Sequence, residues 1–552
     1  MKPIAVDYHQ PIIGALRRKT RRVLDDPVLR TWLIGRALGR NPGVAPFAAH
    51  RPPYLEGLAP GGNGGESNSG FAELARDAPT GPIELPLAGI TLRLEPGDQH
   101  DLFARRFDDI EDLLALHRFA WLPVLGEAAD PAWAQALWTA WRRDHGKPGE
   151  GWPWHPYTAA ERAVNMLAFG RRRGLPGPLG DTLEVLAAHG PAIFRRLEYF
   201  GDHNTSNHLS NNGRGLYLLG LELGDSGWAD IGARILIEEA KRIFTPSGIL
   251  CEGSSHYHML LTRNYIEVWR AAAAHRRPEE AELGKIATRA LAAARSLVLP
   301  GGLALIGDIS PDCPPALPAG VAELPGNGAE LDALAADGWL RADFGRWSGL
   351  WHASPWGWSA MPGHGHQDCG GFEVHFAGEP LFCDLGRGRY GESGEAAFYR
   401  SAAAHNGLLI DGLDSYPPNR PYYDDAFRRR ICGPPPVLAR HENGVMLRHH
   451  GFSRLGGVGA VERHWRFSGS GFSIADRVEG RGWHRVSRLL HTTLPVEGTV
   501  IGGKFRITAE GDTTTEAVTC WQAYGRGRPA TAIRIEATVR LPWEQTITVD
   551  II

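Results

Sequence analysis

The sequence predicts an α+β multidomain protein, with helices in its first part and antiparallel strands in its second. Three observations predict this. Apolar residues recur at helical spacing from Asp108 to about residue 299; the chain turns Pro- and Gly-rich near residue 300; after about residue 345 the apolar period becomes two. A chain of 552 residues is too long for one compact domain, and its 43% of apolar residues suffices for more than one core. The boundaries read as a mixed N-terminal extension over 1–100, a helical region over 101–300, a connector over 301–344 and a β domain over 345–552.

Each element has a local reason. In the extension, "APGGNGGESNSG" at 59–70 has the composition of a flexible segment, and "IELPLAGITLRLEP" reads as a short hairpin. In "DPAWAQALWTAWRRDHG", Trp133, Leu137 and Trp141 stand four apart on one helix face. In "DSGWADIGARILIEEAKRIF", Asp225 or Ser226 is the expected N-cap, and Trp228, Ile231 and Ile235 form the stripe. About eight such segments with short breaks predict an α/α toroid or a helical array. "LPGGLALIGDISPDCPPALPAG" reads as the connector. In "GFEVHFAGEPLFCDLG", Phe372, Val374 and Phe376 face one way and Glu373 and His375 the other, with an Ala-Gly turn to a second strand. "TAIRIEATVRLPWEQTITVDII" continues the alternation to the end, so the second part reads as an antiparallel β-sandwich or sheet stack.

Composition excludes some functions. The net charge is −3 and no basic stripe appears, which argues against nucleic acid. No apolar run of about 20 residues is present, so no membrane span is expected. "MKPIAVDYHQPIIGALRRKTRRVL" carries no secretory pattern, and the six cysteines are scattered without a CxxC. Both point to a reducing, cytoplasmic setting, with a periplasmic or secreted location as the alternative. Eighteen Trp residues are many for this length; exposed ones suit sugar rings, but core packing accounts for most Trp. An oligomer is compatible with all of this.

Three clusters carry chemistry. "MPGHGHQDCGG" at 361–371 sets His364 and His366 two apart between glycines, with Asp368 just after. A metal site, a catalytic base and plain packing each explain such a pair. Asp384 and His405 follow, each near the end of a predicted strand, and two imidazoles with one carboxylate are an ordinary zinc set. "GDHNTSNHLSNNGRGLYLLGLELG" crowds Asn204, Asn207, His208, Asn211 and Asn212 at a helix start, more amides than one cap needs. Such a start also suits a bound carboxylate. "CEGSSHYHMLLTRNYIEVW" places Tyr257 between His256 and His258; a tyrosine there is core, or an acid/base if it lies in a cleft.

Together the clusters resemble the heparinase II/III-type polysaccharide lyases, a family that includes related alginate and oligouronate lyases. "SNHLSNNGRGLYLLGL" resembles their Asn-His-Leu helix start, "EGSSHYH" their Glu-x-Ser-x-x-Tyr-His segment, and "HGHQDCGGFEVHFAGEPLFCDLGRGRYG" with "FYRSAAAHNGLLIDG" their signature of HGH-x-D, strand, Asp, Arg-Ser and His-Asn. "LHRFAWL" and "YTAAERAVNM" match weaker positions, and the resemblance spans roughly 108–490. It implies an incomplete α/α toroid of helix pairs followed by an antiparallel β-sandwich, with the active site in the cleft between them, and β-elimination at a 1,4 bond to a uronic acid. Carried over by position, it implies that Asn207 and His208 engage the uronate carboxylate, that Tyr257 is the general acid/base and His364 the second catalytic imidazole. It implies one zinc, structural, on His366, Asp384 and His405. Arg162, Asn211 and Arg400 are the further substrate contacts expected. The partner is then an anionic, uronate-containing oligo- or polysaccharide, and a cytoplasmic setting favours short chains.

Two other classes compete. A toroid glycoside hydrolase needs two opposed carboxylates, and these clusters are richer in His, Asn and Tyr. A silent glycan-binding protein of an exopolysaccharide system has no need of Tyr257, His208 and His364 together.

Overall fold

The structure is a computed structural model that describes residues 23–41, 49–58, 70–202, 204–313, 316–359, 361, 363–391 and 393–552, with the side chain of residue 322 left aside. The segment 59–69 and the first 22 residues, on which the flexible-loop and secretory-signal readings rest, lie outside the described residues. Among the described residues no helix is long and apolar enough to cross a membrane.

Helix α1 (Pro27–Ala37) precedes the expected hairpin, β1 (Ile83–Pro86) with β2 (Thr91–Leu94). The helical region then runs through α2 (Ile110–Arg118), α3 (Trp121–Leu125), α4 (Pro131–His145), α5 (Pro156–Arg173), α6 (Leu179–Arg195), α7 (Asn207–Leu223), α8 (Ser226–Ile243), α9 (Ser255–Ala274) and α10 (Glu280–Ser296). Caps set their starts. Asp130 accepts from the Ala132 and Trp133 amides at α4, and Asp225 accepts from Trp228 at α8. Helices α7 and α8 pair side by side, as do α9 and α10, and α5 packs on both α6 and α7, giving the incomplete α/α toroid. Its core is aromatic: Trp121, Trp133, Trp138 and Trp141 are fully buried, with Trp138 and Trp141 stacked at 5.2 Å. Helices α7 and α8 cross at glycines. A Cβ on Gly220 would lie 2.2 Å from the Ala229 amide nitrogen, and one on Gly232 would lie 2.4 Å from that of Tyr217.

The second part is a sandwich of two antiparallel sheets. The smaller takes the order β6-β5-β4-β3 from β3 (Trp339–Phe344), β4 (Trp347–His352), β5 (Gly371–Phe376) and β6 (Glu379–Phe382). The larger includes β7 (Leu408–Ile410), β8 (Val437–His441), β9 (Gly444–His449), β10 (Val458–Phe467), β11 (Gly471–Thr492), β12 (Val496–Glu497), β13 (Val500–Ile501), β14 (Phe505–Thr508), β15 (Asp512–Ala523) and β16 (Arg526–Ile551). Its order is β8-β9-β10-β11-β16-β14-β13-β12, with β7 on β11 and β15 on β16. Trp347, Trp351, Phe372 and Val374 of one sheet meet Trp465, Phe472, Ile474 and Ile547 of the other.

Strand β5 departs from the simple alternation. All six of its residues are buried, because Glu373 and His375 pair at 2.8 Å and His375 Nδ1 accepts from the Gly301 amide. The connector covers the face that alternation assigned to solvent. The connector itself is less loop-like than its composition: it holds short helices at Leu317–Ala322 and Leu331–Ala336 and all of β3.

Candidate active site

Tyr257 stands at the start of α9. Ser254 is the N-cap: its Oγ accepts from the Tyr257 amide at 3.0 Å and donates to the Asp308 carbonyl at 2.7 Å. The flanking imidazoles are anchors. His256 Nδ1 accepts from the Ser310 amide, His258 Nδ1 accepts from Leu250, and His258 Nε2 donates to the Ala290 carbonyl. Burial pushes both down to about 4, so both are neutral. The phenol ring of Tyr257 stacks on His364, with centroids 3.6 Å apart and planes 11° from parallel. Its hydroxyl lies 2.7 Å from that of Tyr390, which donates to the Ile309 carbonyl at 3.0 Å. The Tyr257 hydroxyl therefore donates its hydrogen bond to Tyr390. Burial, with Glu111, Asp308 and Asp312 nearby, drives the Tyr257 pKa well above 10, although the Tyr390 contact opposes this, so the resting group is a phenol.

The two imidazoles of the Gly-bracketed pair share one carboxylate. Asp308 Oδ2 lies 3.1 Å from His364 Nδ1, and Oδ1 lies 2.8 Å from His366 Nε2 and 3.0 Å from Arg387 NH1. The Asp308 amide donates to the His364 carbonyl, which fixes the backbone as well. Burial raises the Asp308 pKa, but the bonds from His364 and His366 outweigh it and hold the carboxyl far below the usual range. Gly365 lets the loop pass, since a Cβ there would sit 2.5 Å from Ser359 Oγ.

The opposite wall is the start of α7. Fully buried Glu252 takes both the Asn207 amide (2.6 Å) and its Nδ2 (2.8 Å), and its Oε2 lies 3.6 Å from His364 Nε2. His208 Nδ1 bonds Glu198 Oε1 at 2.7 Å, and its ring lies 4.6 Å from that of Tyr157. Burial opposes charging of His208, but Glu198 outweighs it and the pKa rises. The amide-rich segment is thus mostly scaffold. Asn212 holds Glu198, while Asn211 is buried, with Nδ2 at 3.5 Å from the Tyr157 carbonyl and Oδ1 taking Arg214 at 3.3 Å.

The structure brings Tyr257, His364, Asn207 and His208 into one neighbourhood through Glu252, Asp308 and Glu198. It does not bring Arg162 there. That side chain is fully buried 4.0 Å over Trp141, bonded to His189 Nε2 and to the His117 and Pro153 carbonyls, so the expected substrate contact is corrected to a core cation. Asn211 likewise serves packing. Arg400 is half-buried beside the imidazole loop, and its carbonyl receives the Gln367 amide.

The expected zinc ligands lie close together. His405 Nδ1 is 2.7 Å from Asp384 Oδ2, and the His366 and His405 rings are 5.1 Å apart. His366 Nδ1 and His405 Nε2 are buried without hydrogen-bond partners, as is Asp368 Oδ2. Two imidazoles with such open nitrogens suit zinc chemically, but both Asp384 oxygens are engaged, Oδ2 by His405 Nδ1 and Oδ1 by the Gly386 amide, and among the described residues no group of three or more His, Cys, Asp or Glu is gathered so as to hold a metal ion as it stands.

Comparison with known proteins follows the same lines. Residues 327–548 match the family described as Heparinase II/III-like, C-terminal. No curated protein matches the chain. Among solved structures, a heparan sulfate lyase HepC mutant from Pedobacter heparinus is similar at 17% identity over 86% of this chain and 81% of that one, with a TM-score of 0.52. A structure of heparinase III is similar at 16% identity over 81% and 78%, with a TM-score of 0.60. A heparinase III described as the BT4657 gene product is similar at 14% identity over 96% and 92%, with a TM-score of 0.56. At these identities the likeness establishes the fold.

Proposed function

We propose, for a chain whose residues 327–548 match the heparinase II/III-like C-terminal family, that it is a polysaccharide or oligosaccharide lyase cleaving 1,4 bonds to uronic acid residues by β-elimination. The observation that carries this is the Tyr257 phenol, stacked at 3.6 Å on His364 across from a carboxylate-backed His208. The similar structures, named as a heparan sulfate lyase and heparinases, support it.

The chemistry assigns each group a task. Loss of the uronate C5 proton moves charge onto the adjacent carboxylate; His208, and Asn207 through the Nδ2 hydrogen not given to Glu252, are the groups read as stabilising it. The C4–O4 bond breaks as the C4–C5 double bond forms, and the leaving oxygen takes a proton. Tyr257 is the acid/base. As a resting phenol it is ready to donate to the leaving oxygen; to take the C5 proton it must first lose its own to solvent, since Tyr390 is a phenol that already donates to the Ile309 carbonyl. His364 lies flat on the phenol and bears against Glu252 and Asp308. A hydrolase would need two carboxyls facing each other across the bond, whereas Glu198, Glu252 and Asp308 are each taken by imidazole or amide groups.

The decisive assay is ultraviolet absorbance of the conjugated 4,5-unsaturated uronate over polymers of glucuronate, iduronate, mannuronate and guluronate. Absorbance that grows with one of them supports the lyase; reducing ends without absorbance favour a hydrolase, and no cleavage a binding protein.

We also propose one zinc on His366, Asp384 and His405, which would tie the loop of the imidazole pair to the sandwich. Elemental analysis of purified protein is the test, and absence of stoichiometric metal sinks it. His405→Ala should then lower thermal stability more than substrate affinity.

A further inference from the structure

Glu198 follows α6 and is 7% exposed. Asn212 holds it from two sides: the Glu198 amide donates to Asn212 Oδ1 and Oε2 accepts from Asn212 Nδ2, both at 3.1 Å. With Oε2 held, Oε1 meets His208 Nδ1 at 2.7 Å and lies 3.7 Å from His155 Nε2. The Tyr157 ring under His208 is itself fixed, since its hydroxyl donates to Asp312 at 3.0 Å. Only the His208 edge bearing Nε2 is left for a ligand, and that side chain is 42% exposed.

We propose that Glu198 is a positioning residue for the lyase reaction, fixing the tautomer and charge of His208 so that Nε2–H meets the uronate carboxylate. The proposal rests on the lyase reading. A carboxylate on Nδ1 forces the proton there and makes the second protonation favourable, and an imidazolium is a stronger partner for a developing carboxylate charge than a neutral ring.

The other charges facing His208 do not supply this. Glu252 acts in the same direction from across the wall, but it is committed to Asn207. Arg118 opposes charging, His155 adds a like charge when protonated, and Glu111 lies farther off with Arg118. Burial also opposes it, so Glu198 is the group that tips the balance. The sign follows. The imidazolium persists to higher pH than that of an unperturbed histidine, and activity that needs it fails as pH rises through its titration.

The test is Glu198→Gln, which keeps the shape and the Asn212 contacts and removes the charge. Near neutrality kcat/KM should fall about tenfold, mostly in kcat, and the alkaline limb of its pH profile should move down by about one unit. Glu198→Asp, which keeps the charge, should restore part of the limb and serves if the glutamine variant does not fold. A purely structural role would lower stability and leave the limb in place. A second readout needs no substrate: the His208 imidazole proton, assigned with His208→Gln, is titrated by NMR in wild type and variant. A lower midpoint without Glu198 supports the proposal; an unchanged midpoint or an unmoved limb overturns it. If the wild type cleaves no uronate polymer, the lyase reading fails, while the NMR midpoint still decides whether Glu198 governs His208.

Discussion

The two imidazole-bearing walls of the site are built on different plans. On the helical side His208 has one carboxylate, contributed from ten residues upstream, and 42% of its side chain is exposed. On the sandwich side His364 and His366 share Asp308, which lies 56 and 58 residues away and also binds Arg387. The first wall keeps a ring in contact with solvent and sets its charge. The second removes freedom from a Gly-bracketed loop that would otherwise have much of it. One carboxylate tunes, the other immobilises, and the phenol lies between them.

The sharpest way to break this comparison is Tyr257→Phe. It removes only the hydroxyl, so the stack on His364 and the fold should survive, while turnover falls about 10²–10⁴-fold. Steady-state kinetics with a matched circular-dichroism melt checks it; near-wild-type turnover would move the acid/base role to His364.

Asp308→Asn tests immobilisation. It leaves buried Arg387 without its anion and removes the charge facing both imidazoles, so unfolding free energy should drop by about 3 kcal/mol or more. Urea titration measures this. A loss of activity without loss of stability would show that Asp308 tunes as Glu198 does.

Arg162→Met should separate core from site. The change deletes a buried cation over Trp141, so the melting temperature should fall while kcat per folded molecule holds. A selective rise in KM would return Arg162 to the substrate.

The smallest effect is a pH window. The Glu198 carboxyl is held low: burial raises it, and the bonds from His208 and Asn212 win. That contribution is present above the unfolded glutamate pKa, about 4.3, and fades as pH falls through the depressed value. The raised His208 contributes below the unfolded histidine pKa, about 6.5, and its share fades as pH rises through the folded value. The stability difference between wild type and Glu198→Gln should therefore peak between about pH 4.3 and 6.5 and shrink on both sides. A flat difference across that range, measured by urea unfolding, would show that the pair is not an ionic one.

The same contrast explains what the sequence made legible. The helical first part and the stranded second part followed from periodicity, which is local; that they form a toroid and a sandwich came with the family resemblance. His364, His366, Asn207, His208 and Tyr257 stood in dense clusters of unusual residue types. Asp308 did not, because it acts across a long stretch of chain and sits alone among ordinary neighbours within "LIGDIS"; Glu252 and Tyr390 lay inside the quoted motifs, but nothing local showed what each would touch. Glu198 is near His208 in sequence, but no motif of spacing marks it. Arg162 misled because a helical Arg suits an anionic ligand; the Trp141 and Trp154 rings that enclose it come from outside its own helix. The Glu373 and His375 face misled because alternation cannot tell water from a covering connector.

Tyr257 belongs to the toroid and Tyr390 to the sandwich, and their hydroxyls meet at 2.7 Å. That bond is therefore a latch between the two regions. Any hinge motion that parts them separates the oxygens. The Tyr257–His364 stack spans the same seam, so phenol and imidazole meet only in the shut state.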